Sequence, residues 1–312
     1  MGKLAVLFAG QGAQYTGMGK ELYENCEGAK QIFLQAEQLM PGIIDLCFSA
    51  SKEELSKTLV TQPTVFTVSA AAYQAFRELG YKPAAMSGFS LGEYAALYAS
   101  GVLDFETAFR LVVRRAQLMQ QCAERQKGGM VAVLGVRDDQ KLAQFIEQAR
   151  QTGILEAVNF NCPGQTVVAG DELALERLMQ IAQENKIRAM RLPVNGAFHS
   201  KMMEPAAKEL EVYLDGISFG EPSCTVYANV TGLPYEGEQM KQVLCAQTMS
   251  PVHFKQIVAH MISQGIDTFV EVGPGSTLSG FVKRIDKGKN IYHIEDSQSL
   301  KTTVDGLKAL KG

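Results

Sequence analysis

Long apolar runs, paired cysteines and blocks of one charge are all missing from this 312-residue chain, and each absence closes off a class of protein. No stretch approaches the roughly 20 apolar residues that cross a bilayer. The apolar run over residues 4–9 is too short for the core of a secretory signal and ends in a glycine turn, so no signal peptide is expected. The six cysteines (Cys26, Cys47, Cys122, Cys162, Cys224, Cys245) are scattered, without a C-x-x-C pair. That fits reduced thiols in a cytoplasmic protein better than a disulfide frame or a zinc site. Net charge is −3 and no basic block stands out, which argues against nucleic acid as a partner. Low-complexity tracts and internal repeats are absent. A phosphate loop is absent too: in GQGAQYTGMG, Tyr15 stands where a third glycine would be needed, and no Gly-Lys-Ser/Thr follows. Histidine is scarce, with four residues, so the search for a catalytic imidazole is short.

What is present is 46% hydrophobic, enough for one large domain or two unequal ones. LAVLFAG (4–10) predicts a buried, parallel strand. Gln62-Pro63 opens a long apolar helix that ends at Gly80. A short strand over 84–86 precedes a helix over 91–100, with Gly101 just past its end. Asp104 is placed to cap a helix that runs to Arg125. From 126 to 196 the pattern is β-α-β-β-α-β, the order of a ferredoxin-like unit. α/β material resumes after it. The expectation is therefore an α/β protein: a hydrolase-like parallel-sheet domain made of 1–125 and 197–312, with a ferredoxin-like α+β subdomain inserted over 126–196.

Chemistry concentrates first at Gly88-Phe89-Ser90-Leu91-Gly92. A serine between glycines at minus two and plus two, after a strand and before a helix, has the spacing of a nucleophile elbow. Neighbouring elements crowd such a turn and leave no room for Cβ atoms. The hydroxyl is pushed out at the carboxyl end of the sheet. The N–H of Leu91, in the first helical turn, can serve an oxyanion. A second feature is Arg115. Helical spacing puts it on one face with Ala108, Leu111, Val112, Met119 and Cys122, whereas Arg114 shares its face with Thr107, Arg110, Gln117 and Gln121. Arg115 thus points to the apolar side, where a guanidinium needs an anion. That anion is either an internal carboxylate, in a structural ion pair, or a substrate carboxylate gripped in bidentate fashion. Among the histidines, His253 and His260 are read as sharing one helix face and His293 as lying in a strand, all three structural. His199, in the loop GAFHS where the chain returns from the inserted unit, is the candidate base.

These stretches, together with FAGQGAQYTGMG, RRAQLMQ, VNFNCPGQTVVAG, VNGAFHSKMM, AQTMSPVHF and VEVGPGSTLSGF, resemble the malonyl-CoA:acyl carrier protein transacylases and the related acyltransferase domains of fatty acid and polyketide synthases. The resemblance runs nearly end to end. It implies that a malonyl group passes from malonyl-CoA through an ester on Ser90 to the phosphopantetheine thiol of acyl carrier protein, feeding fatty acid biosynthesis or, alternatively, polyketide synthesis. It implies His199 as base, the N–H groups of Gln11 and Leu91 as oxyanion hole, Arg115 as partner of the malonyl carboxylate, and the Gln247 carbonyl as the group that orients His199. Phe198, Met119 and Phe89 would set acyl selectivity. Phe89 departs from the family, which usually has histidine there, and Ala9 stands where proline is common. No metal or redox cofactor is implied, nor any membrane. The enzyme is expected to be a cytoplasmic monomer whose acidic carrier protein meets a basic rim including Lys201, Arg188 and Arg191. A serine hydrolase on the same elbow, or a non-enzymatic docking subunit, are the rival readings.

Overall fold

The computed structural model describes residues 2–151 and 153–310. Nine strands lie among them: β1 Lys3–Phe8, β2 Ala85–Gly88, β3 Gly129–Leu134, β4 Leu155–Cys162, β5 Gln165–Gly170, β6 Arg188–Arg191, β7 Thr225–Val226, β8 Ile266–Val272 and β9 Asn290–Ile294. The chain forms two compact units, Met1–Ala116 with Ile217–Ala228 and Val258–Gly312, and Gln117–Gly216 with Asn229–Ile257.

In the first unit β7-β2-β1-β8-β9 make a sheet in which every pair is parallel. β1 buries every residue after Lys3, and β2 buries all four of its own. Such uninterrupted apolar strands suit a parallel sheet, whose crossover helices cover both faces. Phe8 lies level with Gly88 on one side and Val272 on the other. The loops after these three strands therefore leave from the same carboxyl end, where sheets of this type collect ligands.

The core helix opens earlier than Gln62-Pro63. It spans Thr58–Arg77 with Pro63 inside it. Proline lacks an N–H to donate and its ring crowds the carbonyl four residues back, so it is tolerated here near the helix start. The preceding turn is closed by the Val60 and Thr61 N–H groups, each 2.8 Å from the Lys57 carbonyl. Thr64 and Thr67 hydroxyls bond back to the Val60 and Pro63 carbonyls at 2.8 Å, which lets them sit buried in a helix. In the stretch TVYANVTG the strand is confined to Thr225–Val226, the two residues that pair with β2. Asp104 caps as expected, accepting the Thr107 N–H at 2.7 Å.

The second unit holds an antiparallel sheet of order β4-β5-β3-β6. Helices Asp139–Arg150 and Glu172–Glu184 supply the two crossovers, which completes the ferredoxin-like order. Asp138 and Asp171 cap them, accepting Gln140 N–H at 2.9 Å and Ala174 N–H at 3.0 Å. Val131, Val133, Leu155 and Val168 pack with Phe145, Ile146, Leu175 and Leu178 from the helices. This compact unit also takes in residues beyond 126–196, namely 117–125, 197–216 and 229–257. One physical reason is that Val252 adds its backbone to the outer edge of β4. Its N–H reaches the Val158 carbonyl at 2.8 Å and its carbonyl accepts the Phe160 N–H at 2.9 Å.

The same pairing corrects one reading. His253 and His260 do not share a helix face. The helix spans Phe254–Ser263, and His253 precedes it, held by its N–H to the Asn229 carbonyl at 2.9 Å. His293 does lie in a strand, β9.

Candidate active site

Ser90 sits in the tight connection between β2 and the helix Gly92–Ala99, at φ +53°. A non-glycine residue held in this region stores on the order of 1–3 kcal/mol of strain, a feature that clusters at functional sites. The two flanking glycines are obligatory. A Cβ on Gly88 would lie 1.9 Å from the Gly92 carbonyl carbon, and one on Gly92 would lie 2.1 Å from the Phe8 oxygen. Backbone, unlike a side-chain tip, cannot swing aside. Leu91, at φ −50° and ψ −40°, immediately precedes the helix, so its N–H is among those the helix itself leaves without an i−4 acceptor. Gln11 follows β1 at the same end of the sheet. Gly10, its neighbour, lies so close that a Cβ there would meet the Phe89 oxygen at 2.4 Å.

Ser90 is less open than the sequence suggests, with 8% of its surface accessible. Arg115 lies against it, with Nη2 donating to Ser90 Oγ at 3.1 Å. The helix Phe105–Arg125 carries both arginines, and the choice between them holds: Arg115 is 1% exposed while Arg114 is half-buried. Arg115 Nη1 donates to Gln62 Oε1 at 2.8 Å, and the guanidinium carbon lies 5.2 Å from the centre of the Tyr94 ring. Burial pulls the arginine below its usual pKa, opposed by Tyr94 and by the buried Glu93. The group stays cationic, as guanidinium does in proteins. A buried cation touching a serine hydroxyl can hold an anion at that serine.

Gln62, Glu93 and Tyr94 are site residues that sequence reasoning missed. Gln62 had a signal: an amide at the start of a helix read as a core helix, where a long polar side chain needs a partner.

His199, in the second unit, is 3% exposed and sits at φ +63°. Its Nδ1 is 2.8 Å from the Gln247 carbonyl, and its own N–H reaches the Thr248 carbonyl at 3.1 Å. Gln247 follows directly on the helix Met240–Ala246 and opens the 3-10 turn Gln247–Met249. A carbonyl can only accept, so Nδ1 carries the hydrogen and Nε2 keeps the lone pair. This is the tautomer a general base requires.

Phe198 and Met119 are buried in the second unit. Phe198 crowds Gly196, where a Cβ would be 2.8 Å from its ring. Phe89, in the first unit, is half-buried and its ring centre lies 6.2 Å from that of Phe281. Of the three cations expected at the carrier-protein rim, Arg191 is ion-paired with Glu172, and all three are exposed. Among the described residues no cluster of three or more His, Cys, Asp or Glu could hold a metal, and no helix is long and apolar enough to cross a membrane.

His253 supports the segment that carries Gln247. Its ring stacks on Phe160 at 5.2 Å and 6°, and burial holds it below the ordinary histidine value of 6.5. The neutral ring is favoured in the fold. Its contribution is therefore complete above 6.5 and lost as pH falls through the lower, folded value. Melting temperature should fall more steeply between about pH 7 and pH 5 for the native chain than for His253→Phe, which keeps the stack without titrating. Parallel curves would remove His253 from the acid lability.

Residues 6–299 match the family described as "Acyl transferase domain". The chain is 37% identical over 312 residues to the malonyl CoA-acyl carrier protein transacylase of Bacillus subtilis (strain 168), covering 99% of this chain and 98% of that one. The crystal structure of a malonyl CoA-acyl carrier protein transacylase from Clostridium perfringens superimposes with a TM-score of 0.95 at 40% identity, covering 99% of this chain and 98% of the other. A type II PKS acyl-carrier protein in complex with its malonyl-transacylase provides a third match, at TM-score 0.93 and 35% identity over 97% of this chain and 99% of that one. Similarity of this extent, in sequence and in backbone, assigns the chain to the malonyl CoA-acyl carrier protein transacylase family of acyltransferases.

Proposed function

We propose that the chain moves a malonyl group from malonyl-CoA to the phosphopantetheine thiol of an acyl carrier protein by way of an ester on Ser90. The observation that carries this reading is the 3.1 Å contact between Arg115 Nη2 and Ser90 Oγ. A buried guanidinium beside the nucleophile suits an acyl group that ends in a carboxylate, and no simple acyl group would match it. In the first half-reaction His199 Nε2 takes the Ser90 proton while Oγ attacks the thioester carbon. The Gln11 and Leu91 N–H groups receive the oxyanion. The C–S bond breaks and CoA leaves as its thiol, protonated by His199. The second half-reaction runs this in reverse with the carrier thiol as nucleophile. The Gln247 carbonyl holds the imidazole in its working tautomer throughout, as the acid does in a catalytic triad.

Phe198, Met119 and Phe89 act in this reading as determinants of the acyl group accepted. No step calls for a metal or redox cofactor. The enzyme works as a cytoplasmic monomer with CoA and carrier protein as its partners, and neither nucleic acid nor membrane takes part. Residues 126–196 act as an inserted subdomain. The carrier it serves is that of fatty acid synthesis. The relative found with a PKS carrier protein favours a polyketide carrier as the second reading.

Intact-mass measurement tests the proposal. Malonyl-CoA should add one malonyl group to the chain, and carrier protein bearing phosphopantetheine should remove it and gain the same mass. Running both kinds of carrier ranks the two pathways. Absence of the adduct, or its discharge as free malonate in the presence of carrier, would overturn the transferase reading in favour of an inert or hydrolytic protein.

A further inference from the structure

Glu295 follows β9 at the carboxyl end of the parallel sheet, where Ile294 lies level with Val272 and Val272 with Phe8. One of its carboxylate oxygens serves two loops. Oε2 accepts the Tyr15 hydroxyl at 2.9 Å and the Gly275 N–H at 2.9 Å, while Oε1 faces His293 Nε2 at 3.6 Å. Hydrogen bonds to an ionised carboxylate are roughly twice as strong as those between neutral groups. Tyr15 lies in the connection that leaves β1 and carries Gln11, and Gly275 lies in the turn after β8.

The Gln11 connection is fixed at both ends. The Ala9 N–H reaches the Val272 carbonyl at 3.2 Å. The Thr16 hydroxyl reaches the Ala50 carbonyl at 2.7 Å, and the Gly17 N–H reaches the Cys47 carbonyl at 3.0 Å. Between these ends the loop bonds to itself, Ala13 N–H to the Gly10 carbonyl at 3.4 Å and Gly12 N–H to Gln14 Oε1 at 2.7 Å. Gly12 sits at φ +104°, and a Cβ there would meet nothing within 4 Å, so no neighbour confines that side of the loop. Two contacts brace the loop from outside. One is the Tyr15–Glu295 bond. The other is the Gly275 turn, where a Cβ would be 3.8 Å from the Ala13 oxygen. Glu295 makes the first and holds the second. The Tyr15 ring is 41% exposed, so its burial is incomplete and its hydroxyl bond is the feature to explain. Partial burial, then the bond to Glu295, keeps the phenol above its usual pKa and hence a donor.

We propose that Tyr15 and Glu295 are positioning residues, whose bond, with the Gly275 turn on the same carboxylate oxygen, holds the loop so that the Gln11 N–H stays aimed at the oxyanion formed on the Ser90 acyl group. Neither side chain touches the reacting atoms. The inference rests on the transfer reading above. An oxyanion donor works because its position is set before charge develops, and removing one costs about 10²- to 10³-fold in kcat. Loosening a donor forfeits part of that factor in the chemical step and leaves binding of the ground state alone.

The test uses the full-length chain and single-turnover malonylation of Ser90 by malonyl-CoA, read by intact mass over a range of donor concentrations. Tyr15→Phe keeps the ring and removes the hydroxyl. It should slow the saturating rate roughly 5- to 50-fold. The half-saturating concentration should stay within about twofold of the native value, as for a group that acts only in the transition state. Glu295→Ala should lose at least as much rate. The double variant should lose no more than Glu295→Ala alone, because both changes break one clamp. Glu295→Gln, whose amide oxygen can accept both donors, should recover most of the rate that Glu295→Ala loses. A Tyr15→Phe chain that reacts at the native rate overturns the proposal, even where a Glu295 variant fails to fold. So does a loss confined to the half-saturating concentration, or losses at Tyr15 and Glu295 that multiply in the double variant. In each of those results the native chain still takes up malonyl, and the transfer reading stands. A native chain that gains no malonyl group sinks both.

Discussion

Ser90→Ala should abolish the malonyl adduct and lower carrier-protein malonylation by roughly 10⁴-fold or more, the scale seen when a nucleophile is removed from an acyl-transfer site. The fold should survive. Alanine meets the same positive-φ penalty as serine at this turn, and the hydrogen bond that the change removes from Arg115 Nη2 is worth on the order of 1 kcal/mol. Melting temperature and circular dichroism would confirm that the variant is intact while mass and transfer assays read the chemistry. An adduct that persists on the variant would move the nucleophile elsewhere and leave the glycine-flanked turn without a function. The contrast with Gly88 and Gly92 matters here. Substitutions at those positions would also lose activity, but through backbone collisions at 1.9 and 2.1 Å, and hence with loss of stability.

Arg115→Ala is expected to separate substrate classes. Truncating one member of a buried charge pair costs about 2–5 kcal/mol, so malonyl transfer should fall by about 30- to 4,000-fold. Acetyl transfer from acetyl-CoA has no carboxylate to lose and should hold steady or rise. The variant leaves Gln62 Oε1 without the donor it has now, so some stability loss accompanies it, and the malonyl-to-acetyl ratio is the decisive quantity. Arg115→Lys should fall between the two. It keeps the charge but cannot reach Gln62 and a carboxylate through one planar fork. An equal loss on malonyl and acetyl donors would make Arg115 a structural cation, balanced by the field of Glu93.

The elbow was legible in the sequence because its geometry is local. Five residues close the turn, and the glycines needed to let backbone pass backbone are written at fixed offsets from the serine. Arg115 was legible for a similar reason, since a helix repeats every 3.6 residues and its apolar face can be counted. The antiparallel unit could be read from the order of its elements. His253 was misread because periodicity cannot see that Val252 is drawn out of a helix to pair with Asn159. Gln62 was missed because its partner lies 53 residues along the chain. The role of Gln247 came from resemblance. The bond itself spans 48 residues and joins a loop histidine to a backbone carbonyl in a 3-10 turn, which no spacing rule encodes.

The sequence by itself therefore determined the fold class, the strained serine turn and which arginine faces inward, all of which follow from sterics and periods within one element or one turn. The tertiary structure alone decided that Arg115 bonds to Ser90, which carbonyl sets the His199 tautomer and where the two compact units end. Those depend on backbone and side-chain groups far apart in the chain meeting within hydrogen-bond distance, a condition set by packing and not by any local pattern.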